Sequence, residues 1–178
     1  IEDAVNSVYG ERLTYDNKTT LTVFHAQSEG YTHSAEEIWG NPVAYLVSVE
    51  SPSKEAFEAE CRFTAKEFKA LLEEKGKVKI TEKDTKKWVM VTSKTDNGYI
   101  KALRIGGKEF TAIEVKDVLS LPSATFTARL ENNSFVFSVK GKGHGVGMSQ
   151  YAAEYMAQEG KSYKEILAHF YPGTELQK

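Results

Sequence analysis

The alternation of hydrophobic and polar positions predicts that strands dominate this chain. Alternating runs cover residues 5–15 and 19–24 on either side of a turn-forming cluster at 16–18, so a hairpin is expected there. Between 78 and 137, further runs are separated by glycine and asparagine pairs that favour tight turns. These strands are predicted at 78–81, 88–92, 99–105, 110–113, 124–130 and 134–139, with turns at Asn97-Gly98, Gly106-Gly107 and Asn132-Asn133.

A second spacing, with hydrophobic residues three and four positions apart, predicts helices. Thr64 and Glu67 form a capping box inside a helical segment predicted at 53–75, and further helices are predicted at 149–159 and 163–170. The remaining predictions are an ordered loop at 25–40, a short strand at 45–49 and a short helix at 115–119. This order predicts an α+β class, with a β-rich core of antiparallel hairpins and a few helices.

Length and composition limit the kind of protein. A chain of 178 residues suits a single domain over 1–178, with 53–77 expected as a helical insertion or subdomain. The net charge of −2 gives no reason to expect nucleic-acid binding, and the single cysteine, Cys61, excludes an internal disulfide. No membrane span or signal peptide is visible in the sequence. Because the chain begins at Ile1 and not Met, it is expected to be a processed or excised piece.

Residues 141–151 form the most unusual segment. Four glycines alternate with other residues, His144 lies among them, and a helical pattern follows directly. The spacing matches neither a P-loop nor a dinucleotide fingerprint, and Ser149 is not in a nucleophile-elbow motif. Glycine at every second position indicates left-handed backbone or close approach of a ligand. We interpret the run as the floor of a binding groove; a glycine-rich turn that packs a helix on a sheet is the alternative.

A second polar and aromatic cluster covers residues 24–40. It brings together His25, His33, Tyr31 and Trp39 with hydroxyl and carboxyl side chains. Aromatic faces beside hydrogen-bonding groups suit a sugar, whose C–H faces stack on rings while its hydroxyls require donors and acceptors. The alternative is a surface loop in which Tyr31 and Trp39 anchor the core.

Metal and acid chemistry receive less support. The four histidines lack the spacing of a metal site, so no metal is expected in this chain. Glycoside cleavage requires a carboxylic acid beside the leaving oxygen. The sequence selects none of the candidate acids, which are Glu29, Glu36, Glu37 and Glu154.

Both clusters also carry a resemblance. Residues 143–151 with 171–174, together with Phe24-His25, Ser28, Gly30-Tyr31-Thr32 and Trp39-Gly40, resemble the domain family shared by stage II sporulation protein D and the amidase enhancer LytB. The resemblance covers nearly the whole chain. It implies a glycan groove lined by His25, Ser28, Gly30, Tyr31, Thr32, Trp39, Gly143, His144, Gly145, Ser149, Gln150 and Tyr151.

The resemblance further implies a peptidoglycan lytic transglycosylase that acts in sporulation engulfment. In such a reaction an acid protonates the glycosidic oxygen, and the muramic C6 hydroxyl closes on the anomeric carbon to give a 1,6-anhydro end. The implied partners are glycan strands, a cell-wall amidase and a membrane anchor protein. The implied location is the extracytoplasmic cell envelope, with membrane anchoring through a segment missing from this chain. The alternative is a non-catalytic wall-binding module that enhances an N-acetylmuramoyl-L-alanine amidase.

The chain departs from the family pattern in several places. The family's catalytic glutamate lies within a pattern like E-x-x-K-A-Q-A-V-A-A-R-T, which is absent from these 178 residues and is expected upstream. Some members of the family also carry a zinc site of Cys and His in the part that precedes this chain, so zinc is a possibility for the intact protein, and no cofactor is predicted within this chain. The sequence also has Ser28-Glu29-Gly30 where the family often has Ser-Gly-Gly, and Ala152 where it often has glycine.

Overall fold

The computed structural model describes residues 2–95 and 99–178 and has the predicted α+β class. The chain forms two compact units, of which the first consists of residues 1–54 and 145–178 and the second of residues 55–144. The strands are β1 (Arg12–Tyr15), β2 (Lys18–Thr19), β3 (Phe24–His25), β4 (Gly30–Tyr31), β5 (Glu50–Ser51), β6 (Glu58–Thr64), β7 (Val89–Lys94), β8 (Ile100–Ile105), β9 (Lys108–Thr111), β10 (Thr125–Glu131), β11 (Ser134–Lys140), β12 (Met148–Ser149) and β13 (Glu175–Gln177). The helices are α1 (Glu2–Ser7), α2 (Ala35–Trp39), α3 (Ala65–Glu74), α4 (Ala112–Leu119), α5 (Gln150–Gln158) and α6 (Tyr163–Phe170), with one 3-10 turn at Thr85–Lys87.

The hairpin predicted near the start is confirmed in a shorter form. β1 and β2 pair antiparallel, and the turn residues Asp16 and Asn17 have φ angles of 48° and 59°. Two consecutive left-handed residues give the turn a twist that matches the flanking strands. The strand expected from residue 5 is wrong at its beginning, because Glu2–Ser7 forms α1. β1 also pairs with β13, so the two ends of the chain share one sheet.

The helix predicted at 53–75 is confined to α3, and residues 58–64 are a strand. The capping box is confirmed: Thr64 accepts a bond from the Glu67 amide and the Glu67 carboxylate accepts one from the Thr64 amide. Before that cap the side chains of β6 alternate between exposed and partly buried, and β6 pairs along its full length with β11. Pairing with a strand some seventy residues away in sequence decided this segment.

The second unit has an aromatic core. Phe68 on α3 is fully buried and stacks on Phe135 of β11 at a centroid distance of 4.1 Å. The other core residues come from the sheets β10-β11-β6 and β7-β8-β9, from α3 and α4, and from the segments that connect them. The turns predicted at Gly106-Gly107 and Asn132-Asn133 are confirmed, with positive φ at all four residues. Asn97-Gly98 lies outside the described residues.

Three further predictions need correction. Residues 78–81 are irregular and not a strand, although Val78 and Ile80 are buried in the core of the second unit. Residues 45–49 are likewise irregular, and the loop predicted at 25–40 contains β4 and α2. At 78–81 the hydrophobic pattern coincides with burial, but no strand pairs with that segment.

The exposed face of the sheet β10-β11-β6 carries a network of opposite charges. Arg129 binds the Glu60 carboxylate at 2.6 Å, and Arg62 binds Glu131 at 2.8 Å. The hydrogen bond from Arg129 lowers the pKa of Glu60 below its ordinary value. These pairs join the two outer strands, β10 and β6, across the central strand β11 and oppose slippage of the register.

Acid is therefore expected to weaken this network. A lowered pKa means that the folded state favours ionised Glu60, so the stabilisation is present above the ordinary carboxyl pKa and is lost as pH falls through the lowered value. We expect the melting temperature of the wild type to exceed that of Glu60→Gln modestly at neutral pH and low salt, and the difference to shrink in acid. Thermal melts of both proteins over a pH series test this. A gap that persists in strong acid would contradict the assignment.

Candidate functional site

The two segments that the sequence singled out lie side by side in the first unit. Strand β3 pairs in parallel with β12, so that Phe24 is opposite Met148 and His25 opposite Ser149. Beyond the ladder, the Tyr151 amide donates to the Ala26 carbonyl at 3.1 Å. Backbone hydrogen bonds thus join two regions separated by more than a hundred residues in sequence.

A second row of backbone contacts extends this meeting of residues 24–40 with residues 141–151, which we call the junction. The His33 amide donates to the Gly145 carbonyl at 2.8 Å, and His33 bridges to Val146 in parallel. The His33 ring binds the Glu37 carboxylate at 3.0 Å, one helical turn along α2. The glycine run is therefore held on one side by β3 and on the other by the segment that leads into α2.

His25 links the two segments through its side chain. Its ring is 4% exposed, and Nδ1 lies 3.2 Å from the Val146 carbonyl oxygen. A carbonyl only accepts, so Nδ1 carries the proton, and Nε2 faces the Ser28 hydroxyl with which it is hydrogen-bonded. In the neutral ring the serine donates. This is the arrangement of a base-activated serine, but both side chains are buried, and the pair serves here to fix the loop on the glycine run.

The glycines at 145 and 147 serve internal packing. A Cβ atom on Gly147 would lie 2.1 Å from the Val23 carbonyl oxygen, and one on Gly145 would lie 2.6 Å from the His33 ring. Both residues have positive φ, at 70° and 82°. Residues 145–147 are buried, so the expectation of a bare surface is not met there. The packing alternative describes this half of the run, because close backbone approach leaves no space for a side chain.

The other half of the run belongs to the second unit. Gly141 donates its amide to the Phe57 carbonyl, and Gly143 donates to Pro122 at 3.0 Å. His144 is partly buried and is the last residue of that unit. The run thus contains one of the two points at which the chain passes from one unit to the other; the second lies between Lys54 and Glu55.

The predicted site residues fall into three groups by exposure. Those that present surface in the first unit are Gly30, Tyr31, Trp39, Gln150 and Tyr151. Those that are buried there are His25, Ser28, Thr32, Gly145 and Ser149. Gly143 and His144 are partly buried in the second unit. Ligand contact at these positions stays a prediction.

The buried polar residues hold the exposed ones in place. Thr32 accepts a hydrogen bond from the Val49 amide at 3.0 Å. Ser149 is fully buried and caps α5 by accepting from the Ala152 amide at 3.3 Å. These bonds fix the strand that displays Tyr31 and the first turn that displays Tyr151.

Aromatic surface is the main chemical feature of the exposed group. The exposed fractions of Tyr31, Trp39 and Tyr151 are 55%, 43% and 53%. The alternative in which Tyr31 and Trp39 anchor the core is therefore wrong. Exposed rings on a fixed backbone can stack on the C–H faces of sugars and present polar tips to their hydroxyls.

The carboxylates with a shifted pKa, which are Glu60, Glu67 and Glu165, all take part in contacts that stabilise the fold. The Thr64 hydroxyl lowers the pKa of Glu67, and the Ser162 amide lowers that of Glu165, each within a capping box. A general acid requires the opposite, a carboxyl group kept protonated near neutral pH. The candidate acids Glu36 and Glu37 lie on the exposed edge of α2. Within residues 2–95 and 99–178, no three histidine, cysteine or acidic side chains are arranged to hold a metal.

Sequence reasoning missed the backbone groups at the centre of this junction. The Val23 carbonyl accepts from the Tyr171 hydroxyl at 2.7 Å and from the Met148 amide at 3.2 Å. Burial raises the pKa of Tyr171 and keeps it a donor. Every residue has a backbone carbonyl group, so the sequence gives no signal for the ones that accept hydrogen bonds from distant residues.

The structure is that of an α+β protein with two compact units and a glycine–histidine segment at residues 141–147. Known proteins are similar to it in sequence. The chain is 35% identical, over its full length, to stage II sporulation protein D of Bacillus subtilis, and equally to that of Bacillus amyloliquefaciens. The amidase enhancer of Bacillus subtilis is 24% identical over 97% of the chain. The resemblance to stage II sporulation protein D is thereby confirmed.

These similarities have a defined extent. The chain spans about half the length of either stage II sporulation protein D, at 51%, and 32% of the amidase enhancer. No protein-family model matches the chain. Among the described residues, no helix has the length and apolar character needed to cross a membrane.

Proposed function

We propose that this chain is the glycan-binding part of a sporulation protein that cleaves peptidoglycan strands as a lytic transglycosylase. The observation that carries the proposal is the junction of β3 and β12, which brings together the two segments that resemble the family. Full-length similarity to stage II sporulation protein D supports it. The corresponding location is the cell envelope, and the corresponding partners are glycan strands, a cell-wall amidase and a membrane anchor protein.

The proposed glycan surface consists of side chains displayed by the junction. Tyr31 and Trp39 offer stacking faces from one segment, and Tyr151 offers one from the first turn of α5. Gln150, exposed at the start of the same helix, adds an amide that both donates and accepts. Because the backbone beneath is fixed by His25 and Ser149, these groups meet a sugar without much ordering cost.

Cleavage in this proposal proceeds without an attacking water. An acid protonates the glycosidic oxygen, the muramic C6 hydroxyl attacks the anomeric carbon, and the same carboxylate then accepts the hydroxyl proton. The C–O bond to the leaving sugar breaks as the 1,6-anhydro bond forms. The acid is proposed to lie outside these 178 residues, and the chain contributes orientation and shielding.

Product analysis tests the reaction. Peptide-free glycan strands are incubated with the chain, and in parallel with the chain extended by whatever its gene encodes before Ile1. Mass spectrometry is expected to detect 1,6-anhydro-muramic ends with the extended protein only. Ordinary reducing ends, or no cleavage by either, would overturn the assigned reaction.

Similarity to an amidase enhancer supports a second candidate function, a wall-binding module that stimulates an amidase. The test is amidase turnover on peptidoglycan with and without the chain. Stimulation without anhydro products would favour the enhancer, whereas unchanged turnover would exclude it. A glutamate on an alanine-rich helix encoded upstream would favour the enzyme.

Removing two exposed rings is expected to weaken glycan binding. For Tyr31→Ala combined with Tyr151→Ala, we expect at least about a tenfold rise in Kd, because each ring loses its stacking contact. The melting temperature should change little, since both side chains are more than half exposed. Calorimetric titration with glycan oligomers measures the effect, and Tyr9→Ala, which removes a ring that is 79% exposed, is the control. Equal affinities for all three proteins would contradict the proposed surface.

A further inference from the structure

The first unit has an apolar groove that the proposed glycan surface does not use. Its volume is about 430 Å³, and its lining comes from both ends of the chain and from α6. Among the lining residues, Leu13, Phe24, Met148, Tyr163, Leu167 and Leu176 form the apolar walls. Phe24 and Tyr163 remain 57% and 43% exposed, which is unusual for large rings in a concave site.

The groove and the junction share one two-stranded ladder but use opposite faces of it. Phe24 and Met148 are paired in register and line the groove. Their neighbours His25 and Ser149 are paired in the same ladder and are buried. Successive side chains of a strand point to opposite faces, so the groove is a separate surface on the far side of the ladder.

The groove has charged groups beside its apolar walls. Glu11 accepts a hydrogen bond from the Tyr163 hydroxyl at 3.0 Å and is thereby committed to the wall. Arg12, which also lines the groove and is exposed, has no side-chain hydrogen bond or ion pair among the described residues. Lys164 lies 5.8 Å from the centre of the Tyr163 ring. The groove therefore offers one guanidinium, that of Arg12, beside apolar walls.

The apolar surface extends past the groove itself. Tyr9 and Leu21 adjoin lining residues in sequence and are 79% and 63% exposed. Val5 lies on α1, three residues before the lining residue Val8, and is 58% exposed. No residue of α1 is buried. A small molecule would fill the groove without covering these side chains, whereas a polypeptide segment covers both.

We propose that this groove docks a segment of a partner protein in which large apolar residues stand beside acidic ones. The apolar side chains fill the space between Phe24 and Leu167, and a carboxylate pairs with Arg12. Apolar burial supplies the affinity, and the charge selects the partner and its orientation. The proposal does not depend on glycan binding, because it uses the opposite face of the ladder.

Selection from a phage-displayed library of random peptides, each about twelve residues long, tests this. The wild-type chain is expected to enrich peptides with Asp or Glu beside Leu, Phe, Tyr or Trp. The best synthetic peptide should bind at least about tenfold more weakly to Arg12→Glu and to Phe24→Ala. Arg104→Glu, which changes an exposed arginine of the second unit, is the matched control and should bind as the wild type does.

The following outcomes of the selection and binding experiments would overturn the proposal. Enrichment of basic peptides, or of peptides indifferent to both groove variants, would do so. Binding of the apolar anion anilinonaphthalene sulfonate without any groove-dependent peptide would indicate a small-molecule pocket instead. If a variant fails to fold, NMR on the wild-type chain decides, because the peptide should shift the methyl signals of Met148 and Leu167. Loss of glycan binding in Tyr31→Ala has no bearing on this result.

Discussion

Replacing Gly147 with alanine is expected to destabilise the protein by more than about 4 kcal/mol, or to prevent its folding. The new Cβ would lie 2.1 Å from the Val23 carbonyl oxygen, which is backbone and already accepts bonds from Tyr171 and Met148. Movement of that carbonyl away from the new Cβ would disturb both of these bonds. The positive φ of Gly147 adds strain to the clash.

A matched substitution separates the clash from the backbone strain. Gly160 has a φ of 87°, and a Cβ atom added there would have no other atom within 4 Å. Gly160→Ala therefore incurs only the left-handed backbone cost of about 1–2 kcal/mol. Denaturant unfolding of both variants gives the two free energies. Equal losses of unfolding free energy in the two variants would show that the close approach of Gly147 to the Val23 carbonyl does not contribute to stability. The explanation for the glycine at this position beside β3 and β12 would then be wrong.

Replacing Phe68 with alanine is expected to cost about 3–5 kcal/mol in the second unit. Its ring is fully buried and stacks on Phe135 at 4.1 Å, and Phe137 lies 6.1 Å away at a similar tilt. Removal leaves a cavity between α3 and β11 that rigid strands cannot close. The melting temperature should fall by roughly 6 °C or more.

Two variants control for the size of that effect. Phe68→Leu keeps most of the volume and should lose much less stability. Met90→Ala changes a residue that is 52% exposed and should change stability by no more than about 0.5 kcal/mol. Calorimetric melts of the three proteins rank them. A Phe68→Ala protein as stable as Met90→Ala would mean that the stacked cluster is not the core of this unit.

Close packing and ligand binding both favour glycine, so alternating glycines do not distinguish between them. Alternating glycines indicated close approach of something to the backbone, and the structure shows that at 145 and 147 the approaching groups are His33 and the Val23 carbonyl. The exposed rings of the two segments are those of Tyr31, Trp39 and Tyr151, and ligand contact there stays a prediction. A glycine pattern reports proximity without identifying the neighbour.

Local signals predicted the structure correctly where they depend on neighbouring residues. The Thr64 cap, the Asn132-Asn133 turn and the helices predicted at 149–159 and 163–170 are all present. Each is stabilised by bonds that span at most a few residues. The segments predicted wrongly, such as 58–64 and 78–81, depend on distant partners.

The sequence by itself therefore determined the α+β class, the helix caps, the tight turns and the two segments that carry the family resemblance. Only the tertiary structure decided that β6 is a strand, that His25 is bound to Ser28 and Val146, and that Phe24 faces a groove. The physical reason is the range of the interactions. Caps and turns are satisfied within a few residues, whereas strand pairing and burial require groups that only folding brings together.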